Sequence, residues 1–191
     1  MPKNEKGLKV MHLNVRSILT KIDEIKTIVN SIAPDIFCIS ETWLDAEIAD
    51  FHIGLTGYEI ERTDRHKRSG GGLVIFIKES RNFEFKTIKL DAQFEHICLE
   101  LRFKNTKPLY LLLIYNPPNS TSFIENFEIA IQDFSLKELI LIGDFNMDLF
   151  KEKFQKSWEK LLIGKGFIQY IKEATRITNE SETLIDHIFF Q

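Results

Sequence analysis

The stretch "ELILIGDFNMDLF" (residues 138–150) decides how the rest of the chain is read. Leu139 to Gly143, with Phe145, carry almost no polarity, and an apolar run this short reads as a buried strand. Asp144 and Asn146 are set into its end, and Asp148 follows. A carboxylate at the end of a buried strand is costly unless it is paired or bound to metal. For Asp144 alone, a turn or cap residue in "GDFN" is an adequate explanation.

Other strand-like runs end the same way. "MHLN" ends at Asn14, "FCISE" at Glu41, "LLLIY" at Tyr115 and "LID" at Asp186. Gathered at one sheet edge, these residues make a cleft of acids, amides and one phenol. Hard oxygen donors of this kind suit Mg²⁺ or Mn²⁺. The histidine and cysteine spacings of a zinc site are absent from the sequence.

The remaining periodicities place these residues in an α/β chain. Strands are predicted at 8–15, 35–41, 57–62, 71–78, 96–103, 109–115, 137–144 and 183–190. In 18–32, Ile18, Ile22, Ile25, Val29 and Ile32 recur at helical spacing, and Pro34 ends the helix. A second helix is predicted at 122–134, with Ser122 as N-cap and Glu125 three residues on. A third is predicted at 154–167, stopped near Gly164 or Gly166. Three strands in succession without helices exclude a purely parallel sheet. A mixed two-sheet sandwich with outer helices fits, and with no long linker, residues 1–191 are expected to form one domain.

Composition sets the outer bounds. With 43% hydrophobic and 28% charged residues the chain is that of an ordinary globular protein. A net charge of −3 excludes nucleic-acid binding driven by a bulk basic field, so local patches must serve. Cys38 and Cys98 sit in apolar runs and read as buried free thiols. The charged N-terminus is not a signal peptide, and no stretch approaches a membrane span, so an intracellular protein is expected.

The motifs "LNVRSI", "SETWL", "RSGGGLVIFIK", "IYNPPN", "LIGDFNMDL" and "TLIDHIFF", in this order, resemble the endonuclease/exonuclease/phosphatase superfamily. Within it they are most similar to the endonuclease domain of LINE-type (non-LTR) retrotransposons. The resemblance implies a four-layer α/β sandwich with two mixed β-sheets and outer helices, and Mg²⁺-dependent cleavage of phosphodiesters. It implies DNA as partner, a reverse transcriptase in the parent polyprotein, and a nuclear location for a DNA-cutting form. It makes Glu41 the main metal ligand with Asn14 beside it. Asp144 is then the acid that aligns or deprotonates water, Asn146 the amide that orients phosphate or metal, and Tyr115 the phenol on the phosphate. Asp186 is the acid that orients a catalytic histidine.

Two departures qualify this. Asn116 stands in "YNPPN" where relatives usually carry arginine, which weakens a phosphate contact. The family histidine lies in a Ser-Asp-His strand beyond the Asp186 segment, whereas this sequence stops at Gln191. The expectation is a domain truncated at its last strand, with impaired activity and an uncovered sheet edge or core face beside "TLIDHIFF". His187 follows Asp186 directly, but adjacent strand residues point to opposite faces, so it is not expected to be catalytic. His12 shares the face of Asn14 and reads as a core histidine that can line the cleft.

Several features keep two readings. Arg62, Arg65, Lys67 and Arg68 before three glycines can hold a DNA backbone or form a solvated loop. Trp43 can stack on a base, but packing beneath its loop is the expected role. Thr175 and Arg176 can touch phosphate or cap a turn. Three functions remain open. One is a nicking endonuclease, another a catalytically dead DNA-binding remnant, and the third an inositol-phosphate type phosphomonoesterase of the same superfamily.

Overall fold

In β2 (Ile36–Ser40), all five residues are buried, so both faces of the strand are covered. Ile36 and Cys38 pack toward a second sheet, while Phe37 and Ile39 pack toward a helix. This two-sided burial is why the strands read as unbroken apolar runs rather than alternating ones.

The computed structural model describes residues 7–65, 70–118 and 120–191. The first sheet contains β1 (Val10–Asn14), β2, β3 (Tyr58–Thr63) and β4 (Leu73–Lys78), in the order β1-β2-β4-β3. Only β1 and β2 are parallel, and α1 (Ile22–Ile32) makes the crossover between them. Ile25 and Val29 of α1 bury against Phe37, Ile39, Val74 and Phe76. The helix ends as Pro34 requires: Ala33 takes the left-handed conformation (φ 49°) and its N–H donates to the Val29 carbonyl.

The second sheet is built from β5 (Phe83–Ile88), β6 (Glu95–Phe103), β7 (Leu109–Tyr115), β8 (Glu138–Asp144), β9 (Ile168–Gln169) and, after the separate pair β10 (Arg176–Ile177) and β11 (Glu182–Thr183), β12 (Asp186–Phe190). Its order is β5-β6-β7-β8-β12-β9, with β7 and β8 parallel and the other neighbours antiparallel. The helix α2 (Phe123–Ala130) crosses between β7 and β8. Phe123 and Phe127 of α2, with Trp158 and Leu161 of α3 (Glu152–Leu162), cover the outer face of this sheet. Helix, sheet, sheet and helices stack as four layers, as expected.

Several expectations are corrected. Residues 83–88 form an edge strand that sequence periodicity did not flag, because only Phe83 of its six residues is fully buried. The strand expected at 183–190 is broken into β11 and β12, since the Leu184 N–H leaves the ladder to donate to the Asp148 carboxylate. The Ser122 side chain makes no cap hydrogen bond. The third helix runs 152–162, and Gly166 (φ 87°) closes the turn that follows. The edge expected beside "TLIDHIFF" is covered only in part, by the two-residue β9 that pairs with Phe189 and Phe190. Both cysteines are free and buried. Among the described residues, no helix is long and apolar enough to cross a membrane.

Candidate active site

Register places the chemistry. Tyr115, Asp144 and Asp186 are ladder partners across β7, β8 and β12, so the three side chains form one row at one end of the second sheet. Glu95 at the start of antiparallel β6 pairs with Tyr115 and extends the row. In the first sheet, Asn14 pairs with Ser40, and Glu41 follows at once. Gly143 makes the row possible. It holds φ 143°, and a Cβ there would lie 1.9 Å from the Ile114 carbonyl oxygen, so only glycine lets β7 and β8 meet just before Asp144.

The two sheet ends meet in a cleft of about 690 Å³. The Asn14 amide nitrogen bridges them, donating to Glu41 Oε1 (2.8 Å) and to Asp144 Oδ2 (2.6 Å). The Asn14 Oδ1 is buried and has no partner. Asp144 is 1% exposed and also accepts from the Asn146 N–H at 2.9 Å. Burial, then the neighbouring Asp186 charge, pushes the Asp144 carboxyl up to about 7, although the Asn146 and Asn14 donors oppose the shift. Burial also raises Asp186 to about 6, against the Thr175 hydroxyl. Tyr115 is driven up to about 12 by burial and then by the charges of Glu41 and Asp144, so it is a neutral phenol at neutral pH.

The backbone around the cleft is strained. Arg16 (φ 44°), Ser17 (φ 81°), Glu41 (φ 55°), Trp43 (φ 54°) and Asn146 (φ 50°) are all left-handed without being glycine. The segments hold one another in place. Ser17 N–H donates to the Glu41 carbonyl, while Thr42 and Trp43 N–H groups donate to the Gly72 and Gly71 carbonyls. The glycines of "RSGGG" therefore seat the "SETW" loop, and the Gly72 N–H is taken by Glu95 Oε2 at 2.8 Å. Gly72 N–H is thus not offered to a DNA backbone.

The structure brings Asn14, Glu41, Tyr115, Asp144, Asn146, Thr175, Arg176 and Asp186 together around this one cleft. Thr175 Oγ1 also accepts from the Ile185 and Asp186 N–H groups, so it pins the loop carrying Asp186. The Asn146 side chain donates to the Asn116 carbonyl. Asn116 itself is 4% exposed and donates to the Phe145 carbonyl, so it braces two loops rather than facing a phosphate. Arg68 and Lys67 lie outside the described residues. Arg62 ion-pairs with Asp50 and Asp64, and Arg65 with Glu95.

His187 is a satisfied core histidine. Nε2 meets the Met147 carbonyl at 2.9 Å and Nδ1 meets the Gln169 amide nitrogen at 2.8 Å, which fixes the Nε2–H tautomer. Burial holds it down at about 4. His12 lines the cleft, with Nδ1 3.7 Å from Asp186 Oδ1 and Nε2 3.1 Å from the Ser40 hydroxyl. Trp43 does not pack beneath its loop: it is 49% exposed on the cleft wall. Sequence reasoning missed Arg16 and Lys21 on the rim, although "LNVRSI" contains Arg16 two residues beyond Asn14. It also missed the Arg65–Glu95 pair, whose guanidinium lies 5.6 Å from the Tyr115 ring.

A strand-end row of this kind facing a carboxylate–amide pair across two sheets can be compared with known proteins. The endonuclease/exonuclease/phosphatase family profile matches residues 11–191. The chain belongs to this family. Compared by sequence with curated proteins, it has no match. Among solved structures, it is similar to an AP endonuclease from Leishmania major, with a TM-score of 0.77 and 13% identity over 96% of this chain and 78% of that one. It is also similar to the endonuclease domain of TRAS1, a telomere-specific non-LTR retrotransposon, with a TM-score of 0.73 and 15% identity over 95% and 83%. A mannosyl-6-phosphatase from Bacteroides thetaiotaomicron matches with a TM-score of 0.65 and 18% identity over 96% and 85%. At these identities the likeness shows the fold.

Enzymes of the family generally use divalent metal ions, and the donor set here fits one. Glu41 and Asn14 touch through the Asn14 amide nitrogen on the cleft wall, and the Asn14 Oδ1 is a hard oxygen left without a partner. The raised Asp144 and Asp186 mark a place short of positive charge. Among the described residues no cluster of three or more His, Cys, Asp or Glu side chains forms a ready cage. One or two carboxylates completed by water is the ordinary way to hold Mg²⁺.

Proposed function

We propose that the protein is a Mg²⁺- or Mn²⁺-dependent phosphodiesterase that nicks DNA, a retrotransposon-type endonuclease domain in which residues 1–191 act as one unit. The observation that carries this reading is the Asn14 amide bridging Glu41 of one sheet to Asp144 of the other. It fixes a metal-ligating carboxylate against the acid that handles water.

Glu41 and Asn14 Oδ1 would hold the metal, which would supply positive charge for the non-bridging oxygens of the phosphate. Asp144 aligns a water for in-line attack on phosphorus and takes its proton as the P–O bond to the leaving oxygen breaks. A carboxylate held near neutrality is a stronger base than an ordinary one. Tyr115, a neutral phenol, donates to a phosphate oxygen, and Asn146 orients the same group. Asp186 would orient an imidazole; the histidine beside it, His12, is held down at about 3 by burial, so it is neutral and the activity is expected to be reduced. Arg176, Thr175 and Arg68 take flanking phosphates. A reverse transcriptase in the parent polyprotein and a nuclear location belong to the same reading.

The test is conversion of supercoiled plasmid to the open circle in Mg²⁺. Nicking that EDTA abolishes, without release of inorganic phosphate from a phosphomonoester, is the expected result. Phosphate release without nicking would replace the nuclease by a phosphomonoesterase.

A further inference from the structure

Trp43 has no part in the chemistry above, yet it is built into the cleft. It lies two residues beyond Glu41 and one beyond the fully buried Thr42, and is itself 49% exposed. Its backbone N–H donates to the Gly71 carbonyl at 3.0 Å, and its φ of 54° lies in the left-handed region. The indole N–H donates to Glu41 Oε2 at 3.2 Å. Gly70 lies against the same nitrogen, close enough that a Cβ there would sit 3.7 Å away. One edge of the ring is thus fixed, and half of the side chain faces the cleft.

A rigid, half-exposed aromatic ring is a stacking surface. With its single donor occupied by Glu41, the indole has no free polar atom with which to read the edge of a ligand. What it offers is a π face and apolar area. The floor beneath it is acidic, so phosphates are drawn to the rim cations Arg16 and Arg176, and the uncharged part of the substrate is left to meet the indole. Ile177, 70% exposed, and Pro118 are further exposed apolar residues of the cleft.

We infer that Trp43 is the stacking platform for one nucleobase next to the scissile phosphate, a contact that tolerates any base but requires one. This rests on the phosphodiesterase reading above. It also makes the platform report on the metal centre, because the ring is held by the carboxylate proposed to ligate the metal.

The test uses binding, so that it does not depend on turnover. The sequence has two tryptophans, and Trp158 is 2% exposed, so quenching by a bound oligonucleotide reports Trp43. A single-stranded DNA decamer and a decamer of the same backbone made of tetrahydrofuran residues, which carries no bases, are titrated in Mg²⁺. The decamer with bases should quench fluorescence and bind roughly ten-fold tighter than the baseless one. Trp43→Ala should bring that ratio close to one, and Trp43→Phe should keep most of it. Trp43→Leu, apolar without a π face, replaces the alanine variant if that one does not fold. DNA binding with an unchanged ratio in Trp43→Ala, or without quenching of the wild type, overturns the platform and leaves the phosphodiesterase reading intact. Failure of every decamer to bind any of the proteins overturns both.

Discussion

Two buried carboxylates on neighbouring parts of the second sheet have opposite fates. Glu100 on β6 is 6% exposed and Asp144 at the end of β8 is 1% exposed. Glu100 accepts from Arg102 Nε at 2.5 Å and from the Tyr110 hydroxyl at 3.0 Å, with Lys86 4.0 Å away. The Arg102 hydrogen bond holds its carboxyl below the usual range. Asp144 is pushed up to about 7 by burial and then by the Asp186 charge, which the Asn146 N–H and the neutral Asn14 amide oppose without reversing. Burial of an acid therefore does not mark a functional site. Burial without a counter-charge singles out a candidate, because it leaves room for a charge that arrives from outside, as the proposed metal would. The two histidines are both buried and differ in what they meet: His187 has both ring nitrogens matched to neutral protein groups, while His12 meets the Ser40 hydroxyl through Nε2 and the Asp186 carboxylate, 3.7 Å away, through Nδ1.

The largest expected effect concerns the missing counter-charge. Mg²⁺ should raise the melting temperature of the wild type by about 5 °C or more near saturation. Glu41→Gln should abolish that shift and lower plasmid nicking by roughly 10³-fold. Equal stabilisation of both proteins by millimolar Mg²⁺ would break the comparison, since the uncompensated acids would then not be what the metal answers.

A smaller effect is expected from pH without metal. Asp144 has a folded value of about 7 against an ordinary carboxylate value of 3.8. Its contribution is fully favourable below about pH 4 and is lost as pH rises through 7, because folding must then keep the charge buried. Asn at this position never ionises. The melting temperature of Asp144→Asn relative to wild type should therefore climb from pH 5 to pH 8, by the equivalent of roughly 2–3 kcal/mol. A difference that stays flat would mean that Asp144 has a counter-charge after all.

The fold was legible where burial is two-sided. Strands such as "DIFCIS" and "LYLLLIY" keep their apolar runs because both faces are covered, and their ends were correctly placed together at one cleft. It was illegible where packing is one-sided or very short, as in β5 and β9. The candidate residues at strand ends were legible because each interrupts an apolar run, and the structure gathers them at one cleft. Glu95 was not legible because it begins its strand rather than ending it, and only the antiparallel pairing brings that beginning to the same edge. Trp43 was misjudged because its exposure depends on a left-handed backbone at a non-glycine residue, which no local pattern announces. The bracing role of Asn116 could not be seen either, since its partner is a carbonyl 29 residues away.

The most direct measurement is plasmid nicking by Asp144→Asn beside Glu100→Gln, each with its melting temperature at pH 7. Both changes remove a buried carboxylate and keep its shape. The account predicts that Asp144→Asn loses nicking by at least about 10³-fold while melting no lower than wild type. Glu100→Gln should nick at the wild-type rate and melt slightly lower, because the half-exposed Arg102 loses its ionised partner. An Asp144→Asn protein that nicks normally, or that unfolds while Glu100→Gln does not, would contradict the claim that the uncompensated acid is the functional one.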